Sequence, residues 1–163
     1  YHSLVVARAT YYDNYRFADV FAHLKRAPEN LATEIRQLPG VAQVETRVVM
    51  DVTLDVPGLA EPATGRLVSV PAERAPMLND LHLVRGRYVT PERTDEVLAS
   101  ETFANANGLE VGDRLGAILN GRWKEPPIVC IALSPEYIYE VGRGMLFPAR
   151  LGSAGERTDF ERS

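Results

Sequence analysis

Sulfur is nearly absent from this chain as a reactive element. It has one cysteine, Cys130, in 163 residues. A single thiol closes no internal disulfide and builds no zinc site by itself. Cys130 lies in the apolar run from Ile128 to Leu133, where a cysteine packs as a small hydrophobe. Histidine is also scarce: His2, His23 and His82 stand far apart, none at i, i+4 from another, and no HExxH occurs. No run approaches the ~20 apolar residues that cross a bilayer. The first residues, Tyr1 to Arg8, lack the cationic lead and long apolar core of a signal peptide. The chain is thus either cytosolic or a piece of something larger. Net basic charge is missing too. At a formal charge of -4 and a pI near 5.4, with no long Lys/Arg run, it does not carry the surface that phosphate-dominated binding requires, so nucleic acid is not expected as a partner.

Catalytic signatures are equally thin. No GxSxG nucleophile elbow and no GxxxxGK[ST] phosphate loop is present. Gly142-Arg143-Gly144 lacks the third glycine and the following helix of a dinucleotide cradle, and reads as a turn. Carboxylates are plentiful (Glu92, Asp95, Glu96, Glu101, Glu110, Asp113), and a pair of them can do acid–base work, yet solvated surface acids are the ordinary reading. No catalytic, cofactor-binding or metal-binding residue is assigned. From residues alone the chain is a soluble α+β domain without visible catalytic machinery.

What is present is patterning. With 45% hydrophobic and 25% charged residues the composition is that of a globular protein large enough for one domain or two small subdomains. Leu4 to Tyr15 reads as helical and ends in Tyr11, Tyr12 and Tyr15, either an amphipathic helix packed on its own domain or a segment leaving a membrane, where tyrosines concentrate. Phe17 to Leu24 reads as a strand apolar on both faces. Pro28 to Leu38 reads as a helix with Leu31, Ala32, Ile35 and Leu38 on one face, stopped by Pro39-Gly40. From Val44 to Val56 apolar residues take the even positions and polar ones most odd positions, the mark of a long strand with one wet face. Pro57-Gly58 and a loop through Gly65 lead to a hairpin partner at Arg66 to Val70. Residues 71–95 read as irregular. Val97 to Ala99 is a short strand, Glu101 to Asn107 a short helix closed by Gly108, Leu109 to Asp113 a turn, and Arg114 to Leu119 a strand. Asn120-Gly121 is a strong hairpin signal, with the partner strand running from Arg122 to Leu133 across Pro126-Pro127.

Three stretches carry a resemblance: Leu83-Val84-Arg85-Gly86-Arg87-Tyr88-Val89, Glu96-Val97-Leu98-Ala99, and Phe103 to Leu115, which contains Asn107-Gly108-Leu109-Glu110-Val111-Gly112-Asp113. They resemble the periplasmic core domain of ABC-transporter permeases of the MacB/FtsX type, in which "GR", a short strand, a helix with Ala and "GL.VGD" follow one another. Arg16 to Ala22 and Ala132 to Tyr139 are similar to one branch of large FtsX-like permeases. The resemblance covers roughly residues 10–141, and its motifs are structural.

It implies a MacB-type periplasmic core of α+β class: a porter-like strand-helix-strand-strand unit plus a sabre-like, mostly antiparallel β subdomain with a short helix. The expected layout is a juxtamembrane helix at 1–16, the first porter half at 17–72, the sabre-like part at 73–135 and a tail at 136–163, polar and aperiodic from Leu146, with the returning porter half missing. The resemblance further implies a non-catalytic domain facing the periplasm or exterior of the plasma membrane. It would be anchored by flanking helices absent from this chain and coupled through the full-length permease to a cytoplasmic ABC ATPase. A periplasmic partner protein or self-association is expected, with Tyr137, Ile138 and Tyr139 as the candidate interface because aromatics supply contact area with a polar tip. The alternative is a stand-alone small-molecule-binding domain or enzyme, which needs a concave pocket with convergent polar groups.

Overall fold

A computed structural model gives the fold; it describes residues 16–28, 30–119, 121–136 and 144–148. The class is α+β, dominated by a mixed eight-stranded sheet. Its strands are β1 (Val49–Asp55), β2 (Ala63–Val68), β3 (His82–Gly86), β4 (Val97–Ser100), β5 (Gly116–Leu119), β6 (Arg122–Lys124), β7 (Ile128–Leu133) and β8 (Gly144–Pro148), with short helices α1 (Leu31–Arg36) and α2 (Glu101–Asn107). The strand order is β3-β7-β4-β8-β2-β1-β5-β6. The chain divides into two compact units, one of residues 1–46, 76–82 and 134–138, the other of 47–75, 83–133 and 139–163.

In the larger unit the alternation along β1 does what its period dictates. Val52, Leu54 and Val56 are buried while Asp51, Thr53 and Asp55 face water. β1 turns through the Pro57-Gly58 loop into antiparallel β2, with Val52 opposite Gly65 and Asp51 opposite Arg66. The Asp51–Arg66 pair closes at 3.1 Å on the wet face. β2 begins earlier than its apolar residues suggest, because Ala63 to Gly65 already pair with β1. Next to β1 lies β5, and Leu119 pairs with Arg122 of β6 around Gly121 at φ 72. Pro126-Pro127 then separates β6, at the sheet's edge, from β7, which lies parallel to β4. The expected single partner strand is therefore two strands in different places, since proline donates no ladder hydrogen bond.

Helix α2 has the predicted limits for local reasons. The Ser100 hydroxyl accepts from the Phe103 amide, Gly108 takes the left-handed conformation at φ 63, and Leu109 donates to the Ala104 carbonyl. Phe103 and Ala104 pack into the core formed by β1, β2, β4, β7 and β8, with Leu109, Leu115 and Ile131.

Three further expectations are corrected. No strand forms over Phe17 to Leu24; the segment is irregular, and the Ala18 amide is taken by a side chain rather than a neighbouring strand. Within 71–95 an edge strand, β3, does form. The tail is not aperiodic throughout: Met145, Leu146 and Phe147 are buried in β8, parallel to β2 and antiparallel to β4 in the middle of the sheet. An apolar run buried on both faces shows no alternation, so periodicity misses it. The sheet is mixed, with strands from 17–72 and from 73–135 laddered side by side.

Candidate functional site

Gly86 ends β3 at φ 92, and a Cβ there would collide with the Val129 carbonyl oxygen. Only glycine allows β7 this close. The next residue, Arg87, donates its amide to the same carbonyl at 3.0 Å. Its guanidinium reaches across the turn to Glu96, immediately before β4, with one nitrogen 2.6 Å from Oε1 and the other 2.9 Å from Oε2. Glu96 is 1% exposed. It also accepts the Thr90 amide at 2.9 Å, and Arg93 lies 3.5 Å from its Oε1. Arg87 binds the Thr90 hydroxyl and the Tyr88 carbonyl as well. The hydrogen bond from Arg87, with that from Thr90 and the adjacent positive charge, outweighs burial and holds the Glu96 carboxyl down at about 2. The same bond raises Arg87. A carboxylate so occupied is no general acid or base at neutral pH. Its hydrogen bonds to Arg87 and Thr90 close residues 87–96 into a loop.

The glycine-rich turn of the resemblance works in the same way. The Asp113 carboxylate accepts the Glu110 amide at 2.8 Å, Gly112 donates to the Ile128 carbonyl, and Asp113 accepts the Ile128 amide. Beside it lies a shallow, open depression along Gly86, Arg87 and Gly112, walled by Val111, Pro127 and Val129. Among the described residues no carboxylate or nucleophile lines it. Cys130 is buried, and burial pushes its thiol up to about 11, so it is not a thiolate nucleophile at neutral pH.

A second polar centre sits in the smaller unit. Asn79 is buried with φ 51, a left-handed conformation that asparagine tolerates. Its amide donates to the Arg16 carbonyl at 3.0 Å, its Oδ1 accepts the Ala18 amide at 2.9 Å, and its Nδ2 donates to Glu136 Oε2 at 3.0 Å. One residue thus joins residues 16–18 to residue 136, its backbone amide holding Arg16 and its side chain holding Ala18 and Glu136. Next to it the Leu78 amide donates to Glu45, which also accepts from Gln43. Sequence reasoning missed Asn79; an asparagine inside an irregular stretch was the available signal, but its partners lie 57 and 61 positions away.

The interface candidates Tyr137, Ile138 and Tyr139 lie outside the described residues, as do Tyr11, Tyr12 and Tyr15. Among the described residues there is no group of three His, Cys, Asp or Glu placed to hold a metal ion, and no helix is long and apolar enough to cross a membrane.

No family model and no curated protein matches the chain. Among solved structures it is similar to the extracellular domain of the noncanonic ABC-type transporter YknZ from Gram-positive bacteria, at 16% identity and a TM-score of 0.49, over 82% of this chain and 69% of that one.

Proposed function

We propose that the chain is the extracytoplasmic domain of an ABC-transporter permease of the MacB/FtsX type, a non-catalytic module that transmits ATP-driven motion or grips a substrate or partner protein. The observation that carries this reading is the Asn79 node. A domain moved through a flanking membrane helix needs its entering segment fastened to its body, and Asn79 fastens residues 16–18 and residue 136 with hydrogen bonds of about 3 Å. The residues of the sequence resemblance support it from another direction. Gly86, Arg87, Glu96, Gly108, Gly112 and Asp113 shape backbone turns, as a mechanical scaffold requires, and the buried carboxylate among them is fully engaged by its partners.

In this reading flanking helices outside the chain anchor it to the plasma membrane, and a cytoplasmic ABC ATPase is the energy-supplying partner. The test is affinity purification of the full-length protein from detergent-solubilised membranes. An ATPase subunit in stoichiometric yield is the expected result; its consistent absence sinks the proposal.

A further inference from the structure

The irregular stretch Arg16–Arg26 keeps large apolar side chains in water, with Val20 82%, Leu24 60% and Phe21 45% exposed. The rings of Phe17 and Phe21 lie 5.5 Å apart, and exposed Val20 and Leu24 fall within three residues of Phe21, so the apolar groups form a cluster along the chain. Exposed Arg16, Lys25 and Arg26 flank this cluster, with Asp19 the one acid in the stretch. A chain of net charge -4 thus concentrates positive charge where its most exposed hydrophobic residues are. The geometry points to a lipid contact: Arg16–Arg26 seats on an anionic bilayer surface, Val20, Phe21 and Leu24 entering the headgroup–acyl boundary and Arg16, Lys25 and Arg26 meeting lipid phosphates.

Apolar groups rimmed by cations are the composition of an interfacial segment. A protein partner is the poorer match, since interface centres are depleted in lysine and this backbone belongs to no helix or strand that would present a fixed shape. An irregular backbone is compatible with shallow seating, because the headgroup layer is wet and satisfies free amides, whereas the hydrocarbon core does not. The hydrogen bond from the Ala18 amide to Asn79 moors the stretch to the rest of its unit, so seating would fix how that unit approaches the bilayer. The inference leans on the transporter reading only for why a bilayer lies nearby.

The test is flotation of the full 163-residue chain with phosphatidylcholine vesicles, with and without about one third phosphatidylglycerol; that lipid composition is a choice of probe scaled to a typical anionic surface. Flotation with the anionic vesicles, lost at high salt, is expected. Lys25→Glu combined with Arg26→Glu should lower partitioning by roughly thirtyfold or more. Phe21→Ser should lower it by roughly tenfold, and each variant should keep the wild-type circular dichroism. Failure to float, equal flotation with neutral vesicles, or undiminished flotation of the variants overturns the inference. So does concentration-dependent self-association that Phe21→Ser abolishes in place of vesicle binding, which assigns the cluster to a second copy. Recovery of an ATPase by the full-length protein is a separate measurement, so either idea can fail alone.

Discussion

Replacing Val52 by aspartate tests the register of β1 more sharply than any other single change. Val52 is 7% exposed and packs in the main core cluster, opposite Gly65 of β2. Losing its apolar burial costs about 1.5 kcal/mol. The incoming carboxylate finds no cation on that face and takes up a proton. Keeping it protonated at pH 7, against an ordinary value of ~3.9, costs about 4 kcal/mol at ~1.36 kcal/mol per unit. Burying the neutral acid without a partner adds ~1–3 kcal/mol. The total, roughly 7 kcal/mol, rivals the ~5–15 kcal/mol stability of a whole domain. Thr53→Asp places the same group on the wet face between Asp51 and Asp55, where like-charge repulsion costs only about 0.5 kcal/mol. Because the buried aspartate has a folded-state value above its unfolded one, its penalty grows as pH rises and fades as pH falls. Urea unfolding followed by circular dichroism at pH 7 and pH 4 should therefore show the Val52→Asp deficit shrink by about 4 kcal/mol at the lower pH. The neutral control Val52→Asn should keep a constant deficit. Equal stability of the two aspartate variants, or a Val52→Asp deficit that ignores pH, would refute the register.

Glu96→Gln should destabilise the fold by about 2 kcal/mol, below the ~3–5 kcal/mol of a fully buried broken pair because half-exposed Arg87 can rehydrate. Since Glu96 is depressed to about 2 from 4.5, its contribution is complete above pH ~4.5 and disappears as pH falls towards 2. Wild type should lose stability across that window faster than Glu96→Gln, and parallel acid titrations would contradict the assignment. Gly86→Ala should abolish cooperative folding or lower the midpoint severely, because both the left-handed backbone and the Val129 carbonyl oppose a Cβ; a wild-type thermal midpoint would show that β3 does not dock here. Asn79→Gly keeps the left-handed backbone but removes the side-chain bonds. Ala18 amide exchange should rise roughly tenfold, while the Val52 and Leu67 amides exchange as before; uniform change across the sheet would make Asn79 merely a stability residue.

Legibility of the candidate sites follows from distance along the chain. The Arg87–Glu96 loop lay inside stretches already singled out, nine residues apart, but pairing between an arginine and one of many nearby acids has no sequence signature. The Asn79 node joins residues far apart in sequence and left no local trace beyond an asparagine in a loop.

The sequence by itself determined the elements whose cause is contained within a few residues. Ser100 and Gly108 bound α2 through hydroxyl capping and a left-handed close. The alternation of β1 set which face is buried, and Gly121 marked the β5–β6 turn. Tertiary structure decided the rest. Phe17 to Leu24 and Met145 to Phe147 are both short apolar runs, yet the first is coil, exposed from Asp19 onward, and the second the centre of the sheet. The difference is a partner. Met145 to Phe147 is laddered between β2 and β4, strands that lie far upstream, whereas the amide of Ala18 meets a side chain. A helix closes its hydrogen bonds on itself, but a strand is completed only by another strand, and nothing in six or eight residues specifies which one will arrive.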